Sequence, residues 1–175
     1  MSYSSPLSLR CLLLSLERAG DVVSIGEKAK ELKEGMTVLY SKFGIGSTDL
    51  EFKEEDHILL RESDILGTFP RANATADDVK DLQPLGDRVL LRVQEAEGAT
   101  EGGLVLPDSA KEAPVVGTVV RVGRGKEDSD GKVKEPQLQE NDRVIYFKYA
   151  GDKLSDSSGT EYIVIRESDI LGKAN

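Results

Sequence analysis

Hydrophobic and polar positions alternate in short runs along most of this chain, which is the spacing that strands produce. In residues 82–96 the alternation places Val89, Leu91 and Val93 on one strand face and Leu90 on the other. Turn-forming residues separate the runs, and the chain contains 17 glycines and no tryptophan. The pattern predicts a small all-β fold with many turns.

The chain also repeats itself. The letters RESDILG occur at residues 61–67 and again at residues 166–172, an offset of 166 − 61 = 105. The similarity continues upstream in three pairs of blocks: EDHILLRESDILG and TEYIVIRESDILG, LKEGMTVLYSKFG and LQENDRVIYFKYAG, and GDVVSIGE and GTVVRVGR. Repetition over this length predicts two similar structural units.

The two copies differ in two places. The second copy contains KEDSDGKVKEP, in which Asp130 and Gly131 favour a hairpin because both tolerate positive φ. The first copy has only EKAKE there, so it should lack this hairpin. The second copy also begins with the strand pattern of residues 82–96, whereas residues 1–19 match nothing in the second copy. We therefore expect the first copy to lack an opening strand.

Charge and cysteine content exclude several classes of protein. The chain has 32 acidic and 23 basic residues and no long run of Lys or Arg, so the basic surface of a nucleic-acid binder is missing. Cys11 is the only cysteine, which rules out an intrachain disulfide. The apolar stretch CLLLSL is too short to span a membrane. These features predict an acidic protein that binds neither nucleic acid nor membrane.

No candidate catalytic or metal site emerges from the sequence. His57, the only histidine, takes the strand position of Tyr162 in the repeat, so we interpret it as a half-exposed strand residue rather than a general base. There is no Cys/His cluster for zinc, and GRGKE lacks the spacing of a phosphate-binding loop. The sequence predicts a protein that is not an enzyme and has no cofactor or metal.

Residues 82–172 resemble the chaperonin-10 (GroES-type) family. The motifs follow the family order: PLGDRVLLR as the opening strand, GGLVL in a loop, VVGTVVRVGRG, NDRVIYFKYAG and the closing YIVIRESDIL. The resemblance implies an all-β chain of two tandem GroES-like small β-barrels, the first incomplete and the second complete. The domains would be residues 1–19 (unassigned), 20–67 (truncated), 68–81 (a linker in which Thr75 starts a helical turn) and 82–175 (complete).

The resemblance further implies a docking loop. Family members form a dome-shaped ring that caps a large ATP-driven chaperonin, which binds the ATP and encloses an unfolded client. The mobile docking loop would contain Gly102, Gly103, Leu104, Val105 and Leu106. Residues 98–114 have too little apolar surface to fold alone, so an exposed apolar triplet there calls for a partner. The alternative is that the triplet is a short buried strand.

The resemblance also implies an interface between domains. In the family the closing strand of one domain pairs with the opening strand of its neighbour, and this pairing builds the ring. It assigns these interface residues: Leu90, Val93, Ile163, Ile165, Ile170, Leu171, Ile58, Leu60, Ile65 and Leu66. A core strand followed by a capped turn is a compatible alternative. The closing strand of the first unit could meet the opening strand of the second within one chain, and Asp130 with Gly131 would form the roof hairpin.

Localisation and assembly follow as expectations. A tandem chain resembles the plastid members of the family, which implies the chloroplast stroma, with the mitochondrial matrix or cytoplasm as alternatives. Residues 1–16 contain no acidic residue, several serines and Arg10, a weak likeness to a transit peptide; an alternative start or altered exon is the other interpretation. Without an opening strand in the first unit, we expect poor self-assembly and better function in a mixed ring with complete subunits. The alternative is a degenerate tandem protein that only modulates such subunits.

Overall fold

A computed structural model describes residues 7–11, 19–27, 29, 31–41, 48–52, 55–70, 74–94, 115–127, 131–147 and 149–174. The chain divides into two compact units, Met1–Leu85 and Gly86–Asn175. Within the described ranges the regular elements are 15 strands and three short 3₁₀ segments, with no α-helix. The predicted all-β organisation in two units is confirmed.

The first unit is a single antiparallel sheet. Its strands are β1 (Leu7–Cys11), β2 (Ala19–Ser24), β3 (Thr37–Tyr40), β4 (Thr48–Phe52), β5 (Glu55–Leu60), β6 (Ile65–Phe69) and β7 (Gln83–Pro84). Their order across the sheet is β4-β5-β1-β2-β3-β6-β7. The core contains Val22, Leu32, Val38, Leu60, Ile65 and Leu85. Because Pro84 has no N–H to donate, its place in β7 at the edge of this sheet is the position that proline tolerates.

The second unit has a six-stranded sheet and a separate two-stranded ladder. Its strands are β8 (Arg88–Val93), β9 (Val115–Val122), β10 (Lys126–Glu127), β11 (Val133–Lys134), β12 (Arg143–Tyr146), β13 (Asp152–Ser155), β14 (Glu161–Arg166) and β15 (Ile170–Lys173). The larger sheet has the order β13-β14-β8-β9-β12-β15, and β10 pairs with β11. The core contains Val89, Leu91, Val119, Leu138, Val144, Tyr146, Ile163 and Ile165.

Six strands of the first sheet follow the order of the six strands of the second sheet, with β7 added at one edge, and this corrects one expectation. The strand β1 lies between β5 and β2, as β8 lies between β14 and β9. The expectation that the first copy lacks an opening strand is therefore wrong. Strands β2 and β5 each have a backbone edge whose N–H and C=O groups need partners, and Leu7–Cys11 supplies them. Its five residues, LSLRC, share a central leucine and the following arginine with VLLRV of Val89–Val93, but Ser8 takes the place of Leu90.

The turn predictions agree with the structure in two places. Thr75 starts a 3₁₀ segment, Ala76–Asp81, and the Thr75 N–H donates to the Asp78 carboxylate at 2.8 Å. Among the residues described between β2 and β3 there is no strand, whereas β10 and β11 pair on the two sides of the Asp130–Gly131 dipeptide. The additional hairpin therefore belongs to the second unit.

Candidate functional site: a sheet edge and a loop base

The closing strand of the first unit, β6, is covered on both sides. It pairs with β3 and, on its other side, with β7 through Gly67 opposite Pro84 and Thr68 opposite Gln83. The Leu85 N–H donates to the Leu66 carbonyl at 3.1 Å and extends this contact. Residues 83 and 84 come shortly before the opening strand of the second unit, β8, which itself pairs with β14 and β9. The pairing of one domain's closing strand with its neighbour's opening strand therefore stays a prediction.

The closing strand of the second unit, β15, has the same sequence in a different environment. It pairs with β12, and within the described residues no strand lies on its other side. Leu171 is 50% exposed, whereas Leu66, the same letter of the first repeat, is 4% exposed. An unpaired strand edge presents a row of free N–H and C=O groups to other chains. The β15 edge is therefore the open counterpart of the edge that β7 covers.

The β15 strand is held firmly from its paired side. The Lys173 ammonium lies 2.6 Å from the Asp142 carboxylate, and the Ala174 N–H donates to the Arg143 carbonyl at 2.8 Å. The hydrogen bond from Lys173, followed by one from the Gln139 N–H, lowers the pKa of Asp142 below its ordinary value. These contacts fix β15 to β12 and leave its outer edge presented to solvent.

The other predicted interface residues are mostly buried within their own units. Those with exposures of 4% or less are Leu60, Ile65, Leu66, Leu90, Ile163 and Ile165, and those that are partly buried are Ile58, Val93 and Ile170. Leu171 alone among the ten is exposed. Any contact that β15 makes with another chain would therefore use its backbone edge and the Leu171 side chain.

The predicted docking loop joins β8 to β9. Gly102, Gly103, Leu104, Val105 and Leu106 lie outside the described residues. The base of this connection is well defined, because the Gln94 N–H donates to the Val116 carbonyl at 3.1 Å. The Gln94 side chain also donates to the Thr118 hydroxyl at 3.1 Å. The loop thus begins from a base that is fixed to β9.

Around the predicted roof hairpin, β10 pairs with β11 through Lys126 opposite Lys134. Gly131 has a φ of 75°, and Asp130 lies outside the described residues. Gly125, with a φ of 102°, lies so close to Lys134 that a Cβ would be 2.0 Å from the Lys134 carbonyl oxygen. Only glycine allows β11 to pass there.

Sequence reasoning missed two exposed aromatic residues. Phe147 is 59% exposed and Tyr149 is 80% exposed, and both follow β12. The Ala150 N–H donates to the Phe147 carbonyl at 2.9 Å, so a tight turn presents them. The letters FKY alone do not distinguish an exposed turn from a continued strand, because aromatic residues also favour strands.

His57 is buried rather than half-exposed, which corrects the expectation for this residue. It lies in β5, where its backbone is in register with Arg10 of the central strand β1. Successive side chains of a strand point to opposite faces, and Asp56 is exposed whereas His57 is buried, so His57 lies on the covered face of β5. In the described part of the chain no three His, Cys, Asp or Glu side chains group in a way that could hold a metal ion. The described residues include no helix of sufficient length and hydrophobicity to cross a membrane.

Comparison with known proteins finds one family model. The model described as the chaperonin 10 kDa subunit matches residues 16–69 and, separately, residues 81–174. The two matched segments correspond to the two repeats. The first match begins after β1, in keeping with the sequence departure that made this strand hard to recognise.

Individual relatives are of two kinds. The 20 kDa chloroplastic chaperonin of Arabidopsis thaliana is 38% identical over 90% of this chain and 62% of its own length. The protein of the same description from Spinacia oleracea is 38% identical over 88% of this chain and 61% of its own length. The co-chaperonin GroES of an Exiguobacterium species is 53% identical over 51% of this chain and 95% of its own length. The chain thus spans about three fifths of the chloroplast relatives.

Proposed function

The chain belongs to the chaperonin 10 family, and from this premise we propose that it is a co-chaperonin that caps a large ATP-dependent chaperonin. The observation that carries the proposal is the length of the connection between the paired strands β8 and β9, whose sequence contains the apolar triplet Leu104, Val105 and Leu106. ATP would be bound by the chaperonin, and unfolded clients would be enclosed by the assembly rather than bound by one chain. The proposed role involves no catalysis by this chain.

The energetics favour docking by several loops together. Burying three aliphatic side chains gains roughly 1.5–3 kcal/mol each. Ordering each loop residue costs about 1–2 kcal/mol of backbone entropy, so a single loop should bind weakly. Loops held on one ring make later contacts intramolecular and raise avidity by roughly 10²–10⁴. Weak individual contacts also permit release when the chaperonin changes conformation.

The β15 edge supports assembly into a ring. In the first unit the equivalent strand, β6, accepts Gln83–Pro84 as an additional strand. We propose that β15 accepts the opening segment of another co-chaperonin chain in the same way, with Leu171 covered by that segment. Such a head-to-tail contact is heterologous and generates a ring when the rotation closes.

The prediction of poor self-assembly rested on a missing opening strand. Because β1 occupies that place, the first unit has a counterpart of every strand in the larger sheet of the second unit. We therefore propose that copies of this chain assemble with one another, while mixed rings with complete subunits remain a second arrangement. Native mass spectrometry separates the two, since a closed ring of this chain alone contradicts a requirement for other subunits.

We propose the chloroplast stroma as the compartment. The support is the pair of chloroplastic relatives that match nearly the whole chain in one alignment. A fusion of residues 1–175 to a fluorescent protein, expressed in leaf cells, reports the compartment directly. Fluorescence confined to mitochondria or cytoplasm would contradict the proposal.

The function is tested by ATP-dependent co-sedimentation with a purified large chaperonin. Changing Leu104, Val105 and Leu106 to Ser should abolish co-sedimentation. A matched control changes Ala110, Lys111 and Glu112 of the same connection to Ser and should co-sediment like the unaltered chain. Equal behaviour of both variants would show that the triplet is not the docking element. No co-sedimentation by the unaltered chain would reject the cap function itself.

A further inference from the structure

The opening strand of the first unit, β1, pairs with β2 in the same register in which β8 pairs with β9 in the second unit. Cys11 is the last residue of β1 and pairs with Gly20 of β2. Val93 is the last residue of β8 and pairs with Gly117 of β9. Gly20 and Gly117 are equivalent in the repeat, so the strands that flank the connection end at the same place in both units.

An irregularity in the ladder supports this equivalence. The register of β1 against β2 shifts between Ser8 and Leu9. The register of β8 against β9 shifts between Leu90 and Leu91, which are the equivalent residues when Cys11 is aligned with Val93. A bulge changes the direction and twist of a strand. The two units therefore direct their connections from strands of matching geometry.

The connections themselves differ in length. Residues 12–18 join β1 to β2, and residues 94–114 join β8 to β9, which gives 18 − 11 = 7 and 114 − 93 = 21 residues. A connection whose ends are adjacent extends at most over half its contour, which is about 12 Å for the short one and about 36 Å for the long one. The connection of the second unit can therefore reach about three times as far from its sheet as the connection of the first unit.

The two connections are not distinguished by whether they contain apolar residues. The short connection contains Leu12, Leu13 and Leu14, a triplet comparable with Leu104–Leu106. The first of these leucines directly follows the last residue of β1, whereas Leu104 follows the end of β8 by 104 − 93 = 11 residues. The two connections therefore differ in how far the triplet can extend from the sheet.

We propose that each chain docks on the chaperonin through its second unit alone, and that the first unit fills a ring position without a docking loop. The inference rests on the proposed cap function and defines how many docking loops each chain contributes. A ring of these chains offers one docking loop for every two domains. Since avidity rises with the number of contacts on one rigid body, such a ring binds more weakly and is released more readily than one with a loop on every domain.

The first test measures binding of chain variants to an immobilised large chaperonin ring in the presence of ATP. Changing Leu104, Val105 and Leu106 to Ser should weaken binding at least 100-fold, because no second loop compensates. Changing Leu12, Leu13 and Leu14 to Ser should alter it less than twofold. The inference is overturned if the unaltered chain binds and the two variants behave in the opposite way. In that case the affinity stays within tenfold after the change at residues 104–106 and is lost after the change at residues 12–14.

A gain-of-function test covers the case in which the leucine changes disturb folding. Residues 12–18 are replaced by a copy of residues 94–114, and a twin carries the same insert with its apolar triplet changed to Ser. The insert with the triplet should bind at least tenfold more tightly than its twin. Equal affinity of two folded twins, verified by far-UV circular dichroism, would overturn the inference. Failure of the unaltered chain to bind rejects the cap function instead, so the two failures are distinguishable.

Discussion

Gly67 and the carbonyl oxygen of Gln83 lie so close that a Cβ on Gly67 would be 2.7 Å from that oxygen, and the Leu82 side chain would be 3.0 Å away. Gly67 ends the first RESDILG, and its absent side chain lets β7 approach β6. Gly172 ends the second RESDILG, and no described atom lies within 4 Å of its Cβ position. The two equivalent glycines therefore differ in their surroundings, since residues 82 and 83 enclose Gly67 and the Cβ position of Gly172 is open.

Replacing Gly67 with Ala should destabilise the first unit by roughly 1–3 kcal/mol, because the backbone of β7 has to move. Gly172→Ala is the matched control and should change the free energy of unfolding by less than about 0.5 kcal/mol. Urea unfolding of both variants measures the difference. Equal losses would mean that the β6–β7 contact does not constrain Gly67.

Leu171→Asp should prevent oligomer formation and leave the fold intact. A charge on an exposed strand edge disfavours edge-to-edge pairing, and Leu171 is already half exposed, so the isolated chain loses little burial. Analytical ultracentrifugation should show a shift to smaller species. Val133→Asp is the control, since Val133 is 43% exposed on β11 and lies outside the β15 strand. Oligomers that survive Leu171→Asp would contradict the assignment of β15 as an interface.

Gly151→Ala should destabilise the second unit more than Gly159→Ala. Both glycines have positive φ, at 71° and 84°, so each substitution costs about 1–2 kcal/mol of backbone strain. Only Gly151 also faces a neighbour, because a Cβ there would be 2.2 Å from the Val164 carbonyl oxygen. We expect an additional loss of roughly 1–3 kcal/mol. Thermal unfolding compares the variants, and similar melting temperatures would contradict this packing argument.

Asp156 should make the second unit sensitive to acid. Its carboxylate accepts hydrogen bonds from the Ser158 hydroxyl at 2.6 Å and from the N–H groups of Thr160 at 2.8 Å and Ser158 at 2.9 Å. The Ser158 hydroxyl bond is the largest cause that lowers the pKa of Asp156 below its ordinary value of 3.8. The unfolded chain therefore binds the proton first as the pH falls.

The stabilisation from Asp156 is complete above the ordinary aspartate pKa and disappears as the pH falls through the lowered folded pKa. Asp156→Asn should therefore differ most from the unaltered chain near pH 6 and least near pH 2, as measured by urea unfolding across this range. Ser158→Ala removes the largest cause and should reduce the pH dependence. If the free energy of unfolding changes with pH in the same way for the unaltered chain and Asp156→Asn, Asp156 is not a source of the acid sensitivity.

The sequence determined the repeat, the all-β class and the elements whose cause is local. Alternation placed Val89, Leu91 and Val93 on one face, and all three contact the core of the second unit, two as fully buried members and Val93 as a partly buried one. The hairpin position around Gly131 and the turn at Thr75 also follow from nearest-neighbour chemistry. Such features depend on a few consecutive residues, so their letters suffice.

Only the tertiary structure decided the roles of Leu7–Cys11 and of the two RESDILG segments. LSLRC is too short for its pattern to specify a strand, and it becomes one because β2 and β5 leave backbone groups that need partners on both sides. RESDILG has one sequence and two environments, since β7 covers β6 whereas no described strand covers the outer edge of β15. Edge pairing joins residues far apart in the chain, and for that physical reason identical letters could not distinguish the buried Leu66 from the exposed Leu171.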